Sequence, residues 1–292
     1  MGNKTVYLDR RVEYSLKAPA KINIGLRVLS KRQDGFHNIE TIFYPVNLSD
    51  NIRILIIPSG NKNHITVRTR PDINLKQEEN ICHKAADLFL SKFVRKKNYR
   101  VNITVRKNIP LGAGLGGGSS DAAAVIKTLC KYFKIEPSLR SVISLASSVG
   151  SDVPFFLNCK PSYASGRGDK LLHLPGFRVD YRILIIYPGI NISTKNAYRM
   201  LNITARKHKT LVEIKKFDPY DQRLMVNDFE KIVFRQYPEI EMIKYYMLKY
   251  GAVFSLMSGS GSTVFGFYPK NTEHIKMAAE YFRKLKYETF IV

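Results

Sequence analysis

Pro110-Leu111-Gly112-Ala113-Gly114-Leu115-Gly116-Gly117-Gly118-Ser119-Ser120-Asp121-Ala122-Ala123 is the stretch around which the chain is organised. Five of its first nine residues are glycine, so the backbone can take positive φ angles and come close to a ligand. Ser119 or Ser120 offers a helix N-cap. Ala122, Val125, Ile126, Leu129, Cys130 and Phe133 then recur at three- and four-residue spacing, the pattern of an amphipathic helix. A glycine loop feeding a helix start presents unpaired N–H groups and the positive end of the helix dipole. That is an anion site, and a nucleotide phosphate is the commonest anion for it.

Gly112 to Gly117 fits the dinucleotide pattern G-x-G-x-x-G, a weak signal by itself. No Lys-Ser or Lys-Thr pair follows the glycines, which excludes a Walker A loop. A protein-kinase glycine loop covers phosphates from a hairpin and leads into no helix. A Rossmann loop follows the first strand of its unit and has an acid about twenty residues on. Here the loop lies behind a long strand-like section, and Glu136, near that spacing, abuts Pro137. Phosphate binding survives this comparison and nicotinamide does not.

Outward from the loop, Val12–Val28 reads as strand interrupted at Ala18-Pro19-Ala20, with further strand pieces at 40–46, 52–57, 64–69 and 99–106. A helix is expected over 80–94. Beyond the loop helix come a helix over 138–149 ended by Gly150, a short one at 154–157, and a hairpin around Gly166-Arg167-Gly168. Pro175-Gly176 is the candidate linker. After it follow a strand at 181–187, a helix from Ser193, a long helix over 228–250, strands at 253–256 and 263–268, a helix over 274–285 and a final strand. Strands and helices mix without regular βαβ alternation, which favours α+β. The expected domains are residues 1–174, carrying the loop, and 175–292.

The chain has 292 residues, 45% of them hydrophobic, enough to bury a substantial core. Cys82, Cys130 and Cys159 are odd in number and far apart, against a disulfide framework or zinc site and in keeping with a reducing compartment. No apolar run reaches membrane-spanning length, and the N-terminal MGNKTVYLDRR has no secretory core or myristoylation signal, so a cytoplasmic protein is expected. The formal net charge is +23. Its lysines and arginines are scattered, with short clusters at 95–97 and 206–209 and no nucleic-acid-binding motif, so anionic small molecules are the expected partners rather than nucleic acid.

Three stretches together resemble one family. Pro110–Ala123 is similar to the second motif of the GHMP small-molecule kinases, Met257-Ser258-Gly259-Ser260-Gly261-Ser262-Thr263 to their third, and Ala18-Pro19-Ala20-Lys21-Ile22-Asn23 to their first. Asp34-Gly35-Phe36-His37, Gly116–Gly118 with Ser119-Ser120, Gly150-Ser151-Asp152-Val153-Pro154-Phe155-Phe156 and Gly166-Arg167-Gly168-Asp169 narrow the likeness to the branch that phosphorylates a cytidine-diphosphate alcohol. The likeness runs from about Ala18 to Tyr268. It implies a two-domain α+β fold, with an N-terminal domain like the second domain of ribosomal protein S5 and a ferredoxin-like C-terminal one.

The resemblance also implies the chemistry. ATP would be held by Pro110, Leu111, Gly112, Ala113, Gly114, Leu115, Gly116, Gly117, Gly118, Ser119 and Ser120, with Asn80 near the adenosine and Mg²⁺ held mainly by the ATP phosphates. Asp152 would be the base and Lys21 its cationic partner. Asn23, Phe36, His37 and Tyr198 would bind the cytidine-diphosphate alcohol, with Phe36 stacking on the cytosine and His37 hydrogen-bonding to it. The residues alone leave plainer readings open. Asp152 has good helix N-cap chemistry, Lys21 could reach from an apolar strand to the surface, and Lys107 could face phosphate or solvent. Other readings are a kinase of the mevalonate type and a non-catalytic phosphate- or RNA-binding relative. A monomer or weak homodimer is expected.

Overall fold

The computed structural model describes residues 10–201, 211 and 213–292. The N-terminal nonapeptide and the basic cluster at 206–209 lie outside the described residues. Spatial proximity divides the chain into two units, neither continuous in sequence. Among the described residues the first comprises 10–20, 49–109 and 117–159; the second comprises 21–48, 110–116, 160–201, 211 and 213–292.

Ten strands and eight α-helices are formed among the described residues. In the first unit the second half of β2 (His37–Ser59) pairs antiparallel with β4 (Asn98–Arg106), from Asn51 opposite Arg106 to Ser59 opposite Asn98. β3 (His64–Arg70) lies parallel to β4. Alternate residues face the core, as period two requires: Ile52, Ile54 and Ile56 from β2, Ile65 and Val67 from β3, and Tyr99, Val101, Ile103 and Val105 from β4. Four helices belong to this unit: α1 (Ile81–Phe93), α2 (Gly117–Phe133), α3 (Arg140–Val149) and α4 (Val153–Asn158). α2 packs against α1 and α4 and is buried almost all round, from Ser120 to Phe133. The rings of Phe89, Tyr99, Tyr132 and Phe133 close the core, with Phe133 edge-on to Tyr99 at 5.0 Å.

In the second unit the first half of β2 pairs antiparallel with β5 (Ser162–Gly166), which pairs with β6 (Lys170–His173). A separate antiparallel sheet has the order β10-β7-β9-β8. Its strands are β7 (Arg182–Tyr187), β8 (Phe254–Met257), β9 (Val264–Tyr268) and β10 (Glu288–Ile291). After α5 (Thr194–Met200), the helices α6 (Glu230–Gln236), α7 (Pro238–Lys249) and α8 (His274–Lys284) connect these strands. Fourth strand, first, third, second is the order of the ferredoxin-like β-α-β-β-α-β arrangement. α7 and α8 pack on this sheet through Ile243, Met247, Ile275, Ala278, Ala279 and Phe282.

Four expectations need correction. β1 (Val12–Lys31) runs unbroken through Pro19. Among the described strands it pairs with β2 alone, and on an edge strand the N–H that proline lacks need not leave a gap in a ladder. The pieces at 40–46 and 52–57 are one strand, because the polar residues between them find partners within the fold, Asp50 above all. α2 starts at Gly117, so Ser119 and Ser120 lie inside its first turn and do not cap it. Gly112, Gly114 and Gly116 take φ of 65°, 76° and 71°, and the helix begins directly after the last of them. The helix expected over 228–250 is two, because Pro238 starts α7 and holds Tyr237 at φ −133°, ψ 76°.

All three cysteines are free. Among the described residues no helix is long and apolar enough to cross a membrane. Phe133→Ala would leave a void among three other rings and is expected to lower stability by about 3–5 kcal/mol, measured by urea unfolding.

Candidate active site

The residues singled out in the sequence divide between the two units. In the second unit, Lys21 is buried, and its ammonium donates to Asn23 Oδ1 at 2.6 Å and lies 4.7 Å from the centre of the Phe43 ring. The surface reading of Lys21 is therefore wrong. Asn23 is also engaged on its other side: its Nδ2 donates to Thr41 Oγ1 at 3.1 Å. A lysine held on two sides in this way presents its ammonium in one place.

Ser258 joins the three motifs. Its hydroxyl accepts from Asn23 N at 3.3 Å and donates to the carbonyl of Gly114 at 3.0 Å. Lys21 N donates to Leu115 O at 3.0 Å, a second link between the strand and the glycine loop. The turn after Ser258 is closed by Gly261 N to Ser258 O and by Ser258 N to Thr263 O. At Gly114 a Cβ would run into the carbonyl of Ser258, so glycine is required there for space as well as for its positive φ. Leu111 O accepts from the Tyr187 hydroxyl at 3.2 Å, which fixes the start of the loop.

The aromatic residues are in the same unit. The His37 and Tyr198 rings stack at 4.5 Å with 10° between their planes, and Tyr198 packs edge-on against Phe229. Burial, with Lys31 nearby, lowers the pKa of His37, so the ring is neutral at pH 7 and can both donate and accept a hydrogen bond. Phe36 has the Arg167 guanidinium 4.7 Å from its ring centre, and it remains 48% exposed. Arg167 is in turn paired with Asp169.

In the first unit, Asp152 occupies the N-cap position of α4 but makes no capping hydrogen bond with its side chain, so the cap reading fails. Asn80 does cap a helix: its Oδ1 accepts from Cys82 N at 2.9 Å at the start of α1. Ser120 is buried with its hydroxyl unpartnered among the described residues.

Lys107 departs from the solvent-facing reading, since its side chain is buried. Its ammonium is buried between Asp50 and Asp121, at 2.8 Å from Asp121 Oδ2. Asp50 Oδ1 accepts from Asn108 N at 2.6 Å and Ile109 N at 2.9 Å. The cluster thus holds the chain just before the glycine loop and, through Asp121, the first turns of the helix just after it. Asp50 and Asp121 were missed as functional residues; the available signal was an acid at 121 beside the run of alanines that faces the core. Burial, with Asp50 adding to it against Lys107, pushes Asp121 from 3.8 up to about 7. For Lys107 burial works against the charge, but the two carboxylates outweigh it and its pKa is raised.

Comparison with known proteins is in keeping with this geometry. The family models described as GHMP kinases N terminal domain and GHMP kinases C terminal match residues 80–160 and 207–286. A 4-diphosphocytidyl-2-C-methyl-D-erythritol kinase of Methylacidiphilum infernorum is 39% identical over 87% of this chain and 85% of its own length. The chain belongs to the GHMP kinase family. Another GHMP kinase relative with the same name, from Syntrophomonas wolfei, is 36% identical over 95% of this chain and 96% of its own. A crystal structure of 4-(cytidine 5'-diphospho)-2C-methyl-D-erythritol kinase aligns with a TM-score of 0.75 at 31% identity, covering 95% and 98% of the two chains. Homoserine kinase from Cytophaga hutchinsonii, at 17% identity and a TM-score of 0.68 over 98% and 96%, shares the GHMP fold.

Lys107→Met in this GHMP kinase would leave two buried carboxylates unpaired and is expected to cost about 3–5 kcal/mol at pH 8. Because the folded pKa of Asp121 lies above its ordinary value, folding takes up a proton between 3.8 and about 7. The contribution of this group is therefore greatest at low pH and is lost as pH rises through that window. Without Lys107 the pKa climbs further, so urea unfolding should show the gap between variant and native narrowing from pH 8 to pH 5.

Proposed function

We infer that the chain transfers the γ-phosphoryl group of ATP to the 2-hydroxyl of 4-diphosphocytidyl-2-C-methyl-D-erythritol, in non-mevalonate isoprenoid precursor biosynthesis. Relatives bearing that enzyme's name, at 36–39% identity over most of the chain, carry the reading. The His37–Tyr198 stack beside the sequence neighbour Phe36 supports a planar base as part of the substrate. Models of the N- and C-terminal family domains fall on either side of residues 174 and 175, which supports the division into 1–174 and 175–292.

Phosphoryl transfer of this kind is mostly positioning and charge stabilisation. In this reading the loop from Pro110 to Gly118, with Ser119 and Ser120, takes the triphosphate. The left-handed glycines bring backbone amides close, and the cradle would be filled by a Cβ at Gly114. Mg²⁺ travels with the triphosphate and offsets its negative charge. Asp152 removes the proton from the 2-hydroxyl as its oxygen attacks the γ-phosphorus in line, with ADP leaving and no phosphoenzyme formed. Lys21, held by Asn23, stabilises the developing alkoxide.

Phe36 and Tyr198 flank the cytosine and the neutral His37 hydrogen-bonds its polar edge, while Asn80 borders the adenosine. A small-molecule partner rather than nucleic acid, a cytoplasmic place of work and a monomer or weak homodimer complete the reading.

Asp152→Asn is expected to lower kcat by about 100-fold or more while ATP still binds, and unchanged turnover would remove Asp152 from the mechanism. Phe36→Ala should raise KM for the cytidine substrate and leave that for ATP unaltered; an equal loss for both would exclude stacking. ADP release compared across the cytidine-diphosphate alcohol, mevalonate and homoserine tests the substrate itself, and the first should be turned over fastest.

A further inference from the structure

Asn227-Asp228-Phe229-Glu230 lies outside every motif singled out in the sequence, yet its polar side chains are tied to the segments that carry them. Asn227 is 5% exposed. Its Nδ2 donates to Met257 O at 2.7 Å and to Gly259 O at 2.9 Å, on either side of Ser258, and its Oδ1 accepts from Phe229 N at 3.0 Å. Glu230 Oε1 accepts from Met257 N at 2.9 Å, and its Oε2 accepts from Lys244 Nζ at 2.6 Å. Both backbone polar groups of Met257 are therefore held from this one segment.

The same segment grips β1 beyond Lys21 and Asn23. Leu26 N donates to Val226 O at 2.6 Å, Asp228 N donates to Leu26 O at 3.0 Å, and Val28 N donates to Asp228 Oδ2 at 2.8 Å. The strand bearing Lys21 and the turn bearing Ser258 are thus joined by a single bracket. Between its arms, the Ser258 hydroxyl meets Asn23 N and Gly114 O.

A primary amide is well suited to the central place. It donates two hydrogen bonds to two carbonyls and accepts one from an N–H, so its polar capacity matches what surrounds it. A carboxylate of the same shape would turn an acceptor toward two acceptors. A plain loop between strands needs no such match, because its amides can be satisfied by water.

We propose that Asn227 is a positioning residue for phosphoryl transfer: it fixes the Met257–Gly259 backbone so that the Ser258 hydroxyl holds the glycine loop and the Lys21–Asn23 strand in one register. The role rests on the kinase reading given above. It touches neither substrate, so its removal should appear in kcat and in nucleotide affinity, leaving the cytidine subsite alone.

The test compares Asn227→Asp, Asn227→Ser, Ser258→Ala and the Asn227→Ser/Ser258→Ala double variant as full-length protein. Thermal melts confirm folding, and the serine variant serves if the aspartate variant does not fold. Each Asn227 variant is expected to lose about tenfold or more in kcat with KM for the cytidine-diphosphate alcohol within about twofold of native. The double variant should lose less than the product of the two single effects, because both act through the same turn.

Unchanged kcat in a folded Asn227 variant, or fully multiplicative losses, would overturn the proposal. Failure of the native enzyme to turn over the cytidine-diphosphate alcohol would instead overturn the functional reading. In that event affinity for a non-hydrolysable ATP analogue decides the present one: a loss of about tenfold in Asn227→Ser supports it and equal affinity refutes it.

Discussion

Between Gly114 and Ser258 there is no room for a side-chain carbon. The Ser258 hydroxyl donates to the Gly114 carbonyl, and a Cβ on Gly114 would strike the Ser258 carbonyl. Two glycine-containing turns, far apart in sequence, can approach this closely only because neither carries bulk at the meeting point. The hydrogen bonds around them follow from that closeness. Asn23 reaches the Ser258 hydroxyl through its backbone, Lys21 reaches Leu115 O in the same way, and Asn23 then holds the Lys21 ammonium with its side chain.

A second constraint is the handling of buried charge. Lys107, Asp50 and Asp121 are nearly inaccessible together, a placement that costs desolvation for each and is stabilising only if the geometry is good. The geometry is good around Asp50, which accepts from two backbone amides in addition to the lysine. It is incomplete at Asp121, where Oδ1 has no partner among the described residues and the carboxyl is correspondingly reluctant to ionise. Such a cluster is better suited to fixing two flanks of a loop than to adding net stability. An apolar trio of the same volume would serve stability as well or better.

The glycine loop, the helix after it and the two-layer C-terminal domain were legible because each leaves a local signature. Glycines sit where φ is positive, apolar residues recur at helical spacing in α2, and strands in the second sheet are short and bounded by turn residues. Boundaries failed where the deciding partner was distant. Asn47 to Asn51 has the composition of a turn, yet it is strand, because Asp50 is satisfied by Lys107, 57 positions away. The buried ion cluster left only one local sign, the acid at 121 beside core-facing alanines, for the same reason. The family motifs named Lys21, Asn23 and Asp152, but only coordinates reveal that Asn23 restrains Lys21 and that the Asp152 side chain leaves its helix uncapped. Asn227 carried no local signal, since a single asparagine before a helix reads as a cap whatever else it holds.

The face-to-face contact of His37 with Tyr198 bears on discrimination between ligands. Because His37 already covers one face of Tyr198, a cytosine flanked by Phe36 and Tyr198 with its edge on His37 would gain only part of the stacking that two free rings offer, and the gain from apolar burial would be correspondingly muted. Preference among bases would then fall to the directional bonds at the ring edge, which a purine or a uracil cannot reproduce in the same pattern. Rejection of near-neighbours can thus be stringent even where attraction for the right base is modest.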